Sequence, residues 1–186
     1  MKNIKPYKQK GDTCAIVCML KTLEYFKKID EVNWHLERKY YRIYHSKYMK
    51  GTPLSAVAYH LAKQKLNVTM YHSDVSLFSN NNTFEQELFD KLMNEYNEFI
   101  SLAEERGALV KRGCNINIGL IKQLIHLNKI IILSGEIDKC LHTILVVDYD
   151  DNVFQVIDSL YKEVQYKSDI ELEKFMNTSI GKWFIG

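Results

Sequence analysis

Four cysteines and six histidines are the side chains of this 186-residue chain best suited to attack a carbon or move a proton near neutral pH. Position singles out Cys14. It follows Asp12 and Thr13, two good helix N-caps, and precedes the apolar run Ala15-Ile-Val-Cys-Met-Leu20, so it opens a helix. A thiol there lies on the positive end of the helix dipole, which favours the thiolate, and the free N–H groups of the first turn can hold an oxyanion. The chemistry this suits is nucleophilic attack on a carbonyl. Gln9, five residues upstream, is a second candidate oxyanion donor.

A nucleophile needs a base, and His142 is the histidine with a carboxylate to orient it. Leu141–Asp148 and Val153–Asp158 alternate as strands, and Tyr149-Asp-Asp-Asn152 between them has the composition of a hairpin turn. A turn near 150–151 sets His142 directly across from Asp158, with β-carbons about 5 Å apart. Ile144 and Val146 then share a face with His142, and Phe154 and Val156 with Asp158, giving the pair an apolar floor. A slip of one residue would separate the two side chains.

The elements that must position these groups can be read along the chain. Helical patterns cover about 13–28, 31–47 and, from the Thr52-Pro53 start, to about Lys65. Asn67–His72 reads as a short strand and Ser79-Asn-Asn-Asn82 as a loop. Thr83-Phe-Glu-Gln86 is a capping box for a long helix to about Arg106. A short helix from Asn117 leads to the apolar run Lys129–Leu133, which suits a central strand. Beyond the hairpin come a strand at Tyr161–Gln165, a capping box at Ser168-Asp-Ile-Glu171, and a closing strand at Gly181–Ile185. Helices first and antiparallel strands second make an α+β fold, and the length suits one domain over 1–186.

Composition bounds the rest. Apolar residues make up 46% and charged residues 26%, the balance of a globular chain rather than a disordered one. No apolar run approaches the roughly 18 residues of a membrane span. The basic start has no small-residue cleavage site, and with four cysteines this points to reduced thiols and a cytoplasmic location. The net charge of +2 is too small to advertise nucleic acid as a partner. It conceals an asymmetry: residues 1–50 carry 12 Lys/Arg against 5 Asp/Glu, and 135–174 carry 4 against 10, so two oppositely charged faces are expected. The basic, tyrosine-rich stretch Glu37–His45 is the one segment with the composition of a nucleic-acid or acidic-lipid contact, although tyrosines at helical spacing belong more often to a core.

The ordered set Gln9-Lys-Gly-Asp-Thr-Cys14-Ala-Ile-Val-Cys-Met-Leu, Leu141-His-Thr-Ile-Leu-Val-Val-Asp and Val153-Phe-Gln-Val-Ile-Asp158-Ser resembles the bacterial, bacteriocin-processing C39 and C39-like branch of papain-fold cysteine peptidases. The resemblance covers residues 4–28 and 117–186. It implies a papain-like fold, in which an N-terminal helical lobe packs against a C-terminal antiparallel sheet and residues 30–110 form a helical insertion. It also implies a triad of Cys14, His142 and Asp158, with Gln9 at the oxyanion and no cofactor or metal. Two positions depart from the family's pattern. Ala15 stands where glycine is common, and the Gln9-to-Cys14 interval is one residue short.

The function expected is hydrolysis of a peptide or isopeptide bond, leader-peptide processing included. Acyl or peptidyl transfer through the same thioester is the second reading, and a non-catalytic binding or immunity module the third. The partners expected are a peptide or an acylated small molecule, with a biosynthetic partner protein for the transfer reading. Cys18, one turn beyond Cys14, is assigned to the core, and Cys140 to a structural role beside His142. Cys14, Cys18, Cys140 and His142 match zinc spacing only loosely. His35, His45, His60, His72 and His126 lack a carboxylate partner and read as surface or core residues. Asp148, Asp150 and Asp151 read as a solvated turn rather than a calcium loop.

Overall fold

Nine consecutive residues of the first helix, Ala15–Leu23, are buried in the computed structural model of the chain, which describes residues 2, 4–73, 86–138, 140–177 and 183–186. A helix covered on every side belongs inside a protein. Helix α1 (Cys14–Tyr25) accordingly lies between the sheet and two further helices, α2 (Trp34–Tyr44) and α3 (Leu54–Lys63). Tyr25 and Phe26, at the end of the same apolar pattern, are 37% and 45% exposed, because the helix ends there and Lys27 turns the chain at φ 55°. Pro53, expected as the first helical residue, occupies the N-cap of α3 instead.

Strand β1 (Thr69–His72) follows α3, and the long helix α4 (Gln86–Glu105) packs back onto α3. The loop expected at Ser79–Asn82 lies outside the described residues, as does the capping box expected from Thr83 apart from its last residue, Gln86. Strand β2 (Leu109–Lys111), too short to show a pattern of its own, pairs parallel with β1. The segment read as a helical insertion thus supplies two strands of the sheet. Helix α5 (Ile118–His126) starts where Asn117 accepts a hydrogen bond from the Leu120 N–H. The remaining elements are β3 (Ile131–Ile137), β4 (Cys140–Asp150), β5 (Val153–Ile157), β6 (Gln165–Ser168), α6 (Asp169–Met176) and β7 (Trp183–Ile185). Strand β6 begins where the expected strand 161–165 ends, whereas the Ser168–Glu171 capping box forms as expected.

The strand order is β2-β1-β7-β3-β4-β5-β6, with every neighbouring pair antiparallel except β1 and β2. This is a mixed α+β fold. Ile132, Leu145, Val147 and Ile157 join the core that holds α1, α3 and α4, and Ile131, Leu133, Ile144 and Val156 join a second core against α5 and α6. Cover on both faces is why Ile130–Leu133 is apolar without alternation. No helix among the described residues is long and apolar enough to cross a membrane.

Gly135 of β3 pairs with His142 of β4, and a β-carbon there would lie 2.2 Å from the Phe175 carbonyl oxygen and 2.6 Å from its ring. Neither obstacle is the loose end of a flexible chain. Gly135→Ala is expected to lower stability by roughly 2–3 kcal/mol through overpacking, read as a lower urea midpoint with an unchanged slope.

Candidate active site

The turn between β4 and β5 is Asp151-Asn152, with φ of 47° and 64°, the two positive values a type I′ hairpin needs. It pairs Asp150 with Val153, Tyr149 with Phe154 and Asp148 with Gln155. Carried on unchanged, that register would set Asp158 across from Leu145, on the face away from His142. A bulge between Val146 and Asp148 prevents this by absorbing one residue, so that pairing resumes as Val146 with Val156 and Leu145 with Ile157. Asp158 therefore follows on across from Ile144, on the same face as His142 and two positions away along β4. The expected directly opposite pair is corrected to a diagonal one. The imidazole spans the extra distance, and its Nε2 meets Asp158 Oδ1 at 2.8 Å. Lys2 holds the bulge in place, its Nζ donating to the carbonyls of Val147 at 3.0 Å and Lys129 at 2.8 Å.

His142 is 6% exposed and Asp158 1%. The same Asp158 Oδ1 accepts the Leu160 N–H at 3.0 Å, so the carboxylate is fixed before it fixes the ring. With Nε2 occupied, Nδ1 is the ring nitrogen left to act on Cys14, whose sulfur lies within electrostatic reach of the imidazole. Burial pushes the Cys14 thiol up, but the hydrogen bond and charge of His142, with the N–H and hydroxyl of Thr143, outweigh it and leave the thiol below its ordinary value. Burial alone would lower His142, yet the hydrogen bonds to Asp158 and Cys14 and their charges carry it up to about 9. Burial raises Asp158 as well, and the His142 hydrogen bond, the Leu160 N–H and nearby positive charge bring it below the usual carboxylate range. Both shifts run in the direction that favours a thiolate beside an imidazolium, held by a buried carboxylate.

No protein-family model matches the chain, and no curated protein does. The chemistry is carried by the geometry.

Thr13 occupies the N-cap of α1, but its side chain makes no capping bond. Its hydroxyl turns away and donates to Glu37 Oε1 at 2.5 Å, which leaves the first N–H groups of the helix uncapped beside the Cys14 sulfur. Glu37, on α2, is fully buried and also accepts the Tyr7 hydroxyl and the Lys10 N–H, each at 2.8 Å. One carboxylate thus gathers three points of the segment 7–13 that delivers the nucleophile. Glu37→Ala leaves those donors without acceptors and is expected to cost about 3 kcal/mol of stability, while Glu37→Gln, which keeps one acceptor oxygen, is expected to cost about 1 kcal/mol. Urea denaturation of the two variants checks the order.

Gln9 lies on the same segment. Its backbone N–H donates to the Ser159 carbonyl at 2.8 Å, its side-chain oxygen accepts the Ser159 hydroxyl, and its Nε2 donates to the Gly11 carbonyl at 2.5 Å. The residue after Asp158 therefore anchors Gln9, with the amide nitrogen facing the loop before Cys14. Ala15 is 2% exposed, its methyl packed in the core.

Cys18 is buried, as expected, and donates to the Thr143 carbonyl at 3.5 Å. Pairing between β4 and β5 stops at Leu145–Ile157, which leaves the Thr143 carbonyl to accept from Cys18. Cys140 is exposed rather than packed beside His142, and all four cysteines are free thiols. His60 is buried against Tyr44, whose hydroxyl lies 2.8 Å from its Nδ1, and burial with nearby Lys63 and Lys39 lowers it to about 4. His35, His45 and His126 are exposed. Among the described residues no group of three or more His, Cys, Asp or Glu could hold a metal ion.

Proposed function

We propose that the chain is a cysteine-type amide hydrolase with a papain-like arrangement of Cys14, His142 and Asp158, acting on peptide or isopeptide bonds. One observation carries this reading: a thiol on the uncapped start of a buried helix is lowered by an imidazole whose Nε2 is 2.8 Å from a buried carboxylate. That order of groups is what nucleophilic acyl chemistry needs.

In the proposed reaction the Cys14 thiolate adds to the carbonyl carbon, and the carbonyl electron pair moves to oxygen. The Cys14 N–H and the second hydrogen of Gln9 Nε2 hold that oxyanion. Collapse expels the amine, which takes its proton from His142, and leaves an acyl-thioester. His142, now neutral, takes a proton from water as it attacks the thioester, and a second collapse returns the thiolate and the imidazolium. Asp158 keeps the ring in place throughout. The four free thiols support work in a reducing compartment such as the cytoplasm, and the resemblance carried by Gln9–Leu20 and 141–159 supports a C39-like lineage.

A mixture of peptides incubated with the protein and analysed by mass spectrometry tests the reading. New termini that depend on Cys14 and on His142 are expected. If no peptide is cut and added amines become attached to acyl donors, the enzyme is a transferase through the same thioester. If neither product forms and Cys14 shows no activation, the hydrolase reading fails.

A further inference from the structure

A cavity of about 570 Å³ opens against the segment Lys10–Thr13, immediately before the nucleophile. Its other wall is one face of α2 and its C-cap, which present Trp34, Arg38, Tyr41, Arg42 and His45. Their spacings of four, three, one and three residues make a single helical stripe, while Glu37 and Tyr44 of the same helix point into the protein. The basic, tyrosine-rich stretch thus divides between two jobs, and its cations fall on the open side.

Lys10 Nζ lies 5.5 Å from the centre of the Trp34 ring, and the Arg38 guanidinium 6.0 Å from it. Among the described residues none of Lys10, Arg38 and Arg42 forms a salt bridge. Asp12 is the one carboxylate in the lining, so three cations face one anion. Guanidinium groups with open donors in a concave wall match carboxylates, and the indole face holds the Lys10 and Arg38 cations over it.

We propose that this cavity binds acidic side chains of the substrate, aspartate or glutamate, close to the bond that Cys14 attacks. The inference rests on the hydrolase reading, since it makes the ligand a segment of the peptide to be cut. Four extended residues span at most ~14 Å, so with the wall formed by Lys10–Thr13 the recognised acids lie within about four residues of the scissile bond.

The test uses two labelled hexapeptides of one sequence, with two glutamates or with two glutamines, binding to the Cys14→Ala protein by fluorescence anisotropy. The acidic peptide is expected to bind about tenfold more tightly at low salt, and the preference is expected to fall at 0.5 M salt. In Arg38→Gln/Arg42→Gln it is expected to fall below about twofold, whereas Lys63→Gln, a cation on α3 away from the cavity, keeps it. The same peptides ending in a Michael acceptor then report on Cys14 of the unmodified protein, by the rate of covalent labelling. Acidic preference in binding without labelling would sink the hydrolase reading and leave an acid-binding cavity. Labelling that ignores both the glutamates and the two arginines would leave the hydrolase and overturn the cavity. A single-stranded oligonucleotide held more tightly than the acidic peptide, through the same arginines, would overturn the choice of peptide.

Discussion

Cys14→Ala is expected to abolish amide hydrolysis, lowering kcat/KM by at least about 10⁴-fold, while the protein stays folded. The loss is large because the sulfur is both the attacking atom and the partner that keeps His142 protonated. What survives is binding and oxyanion stabilisation, which cannot cleave without a nucleophile. Stability is little affected, since Cys14 sits in the first turn and only its sulfur is removed. The activation can be read before any substrate is known. At pH 6 an ordinary thiol is ionised to roughly 0.3%, whereas the lowered Cys14 is a thiolate in a larger share. Its lower basicity makes each thiolate a weaker nucleophile, so the net advantage over ordinary thiols is about tenfold. Peptide mapping after iodoacetamide treatment at pH 6 should show Cys14 alkylated about tenfold faster than Cys114 and the exposed Cys140. His142→Ala should erase that lead, and equal rates in the unmodified protein would remove the case for a nucleophile.

The site was legible where a local rule fixes it and illegible where a distant contact does. A cap followed by an apolar run placed Cys14 at a helix start, and strand alternation brought His142 and Asp158 to one hairpin. The pairing itself came out diagonal, because the turn at Asp151-Asn152 lies beyond the point that would set the two residues opposite, and a one-residue bulge returns them to one face. Nothing in Val146-Val147-Asp148 announces that bulge; one of its contacts is Lys2, some 145 residues away in sequence. Glu37 was missed for a related reason. Its partners Tyr7, Lys10 and Thr13 are 24 to 30 residues distant. A signal was present all the same, since Glu37 shares a helical stripe with Tyr40 and Tyr44, where a carboxylate has no place unless it is bonded. Strand β2 is three residues long and forms by lying beside β1, so its own residues could not declare it. The α+β class survived these misses because it rests on the long periodic elements α1, α4, β3 and β4.

Asp158→Asn separates a charge that tunes His142 from a side chain that merely fills space. The amide oxygen can still accept the Nε2–H and the Leu160 N–H, so the ring stays in place and only the negative charge is lost. His142 is raised in the fold to about 9 from an ordinary 6.5, so its contribution to stability is whole below the lower value and is lost as pH rises through the upper one. Cys14 is lowered, so its contribution is present above the ordinary thiol value and is lost as pH falls through its folded value. Thiolate and imidazolium therefore coexist between the lowered Cys14 value and about 9, and kcat/KM should follow a bell whose alkaline limb is near 9. In Asp158→Asn that limb should move down by about one unit, with a loss at the optimum of roughly tenfold. Asp158→Ala also frees the ring and leaves a buried N–H unpaired, for a loss of roughly 10²–10³-fold. A purely structural Asp158 would lower the height of the bell and leave its limbs where they were, so a pH profile of the asparagine variant decides between the two roles.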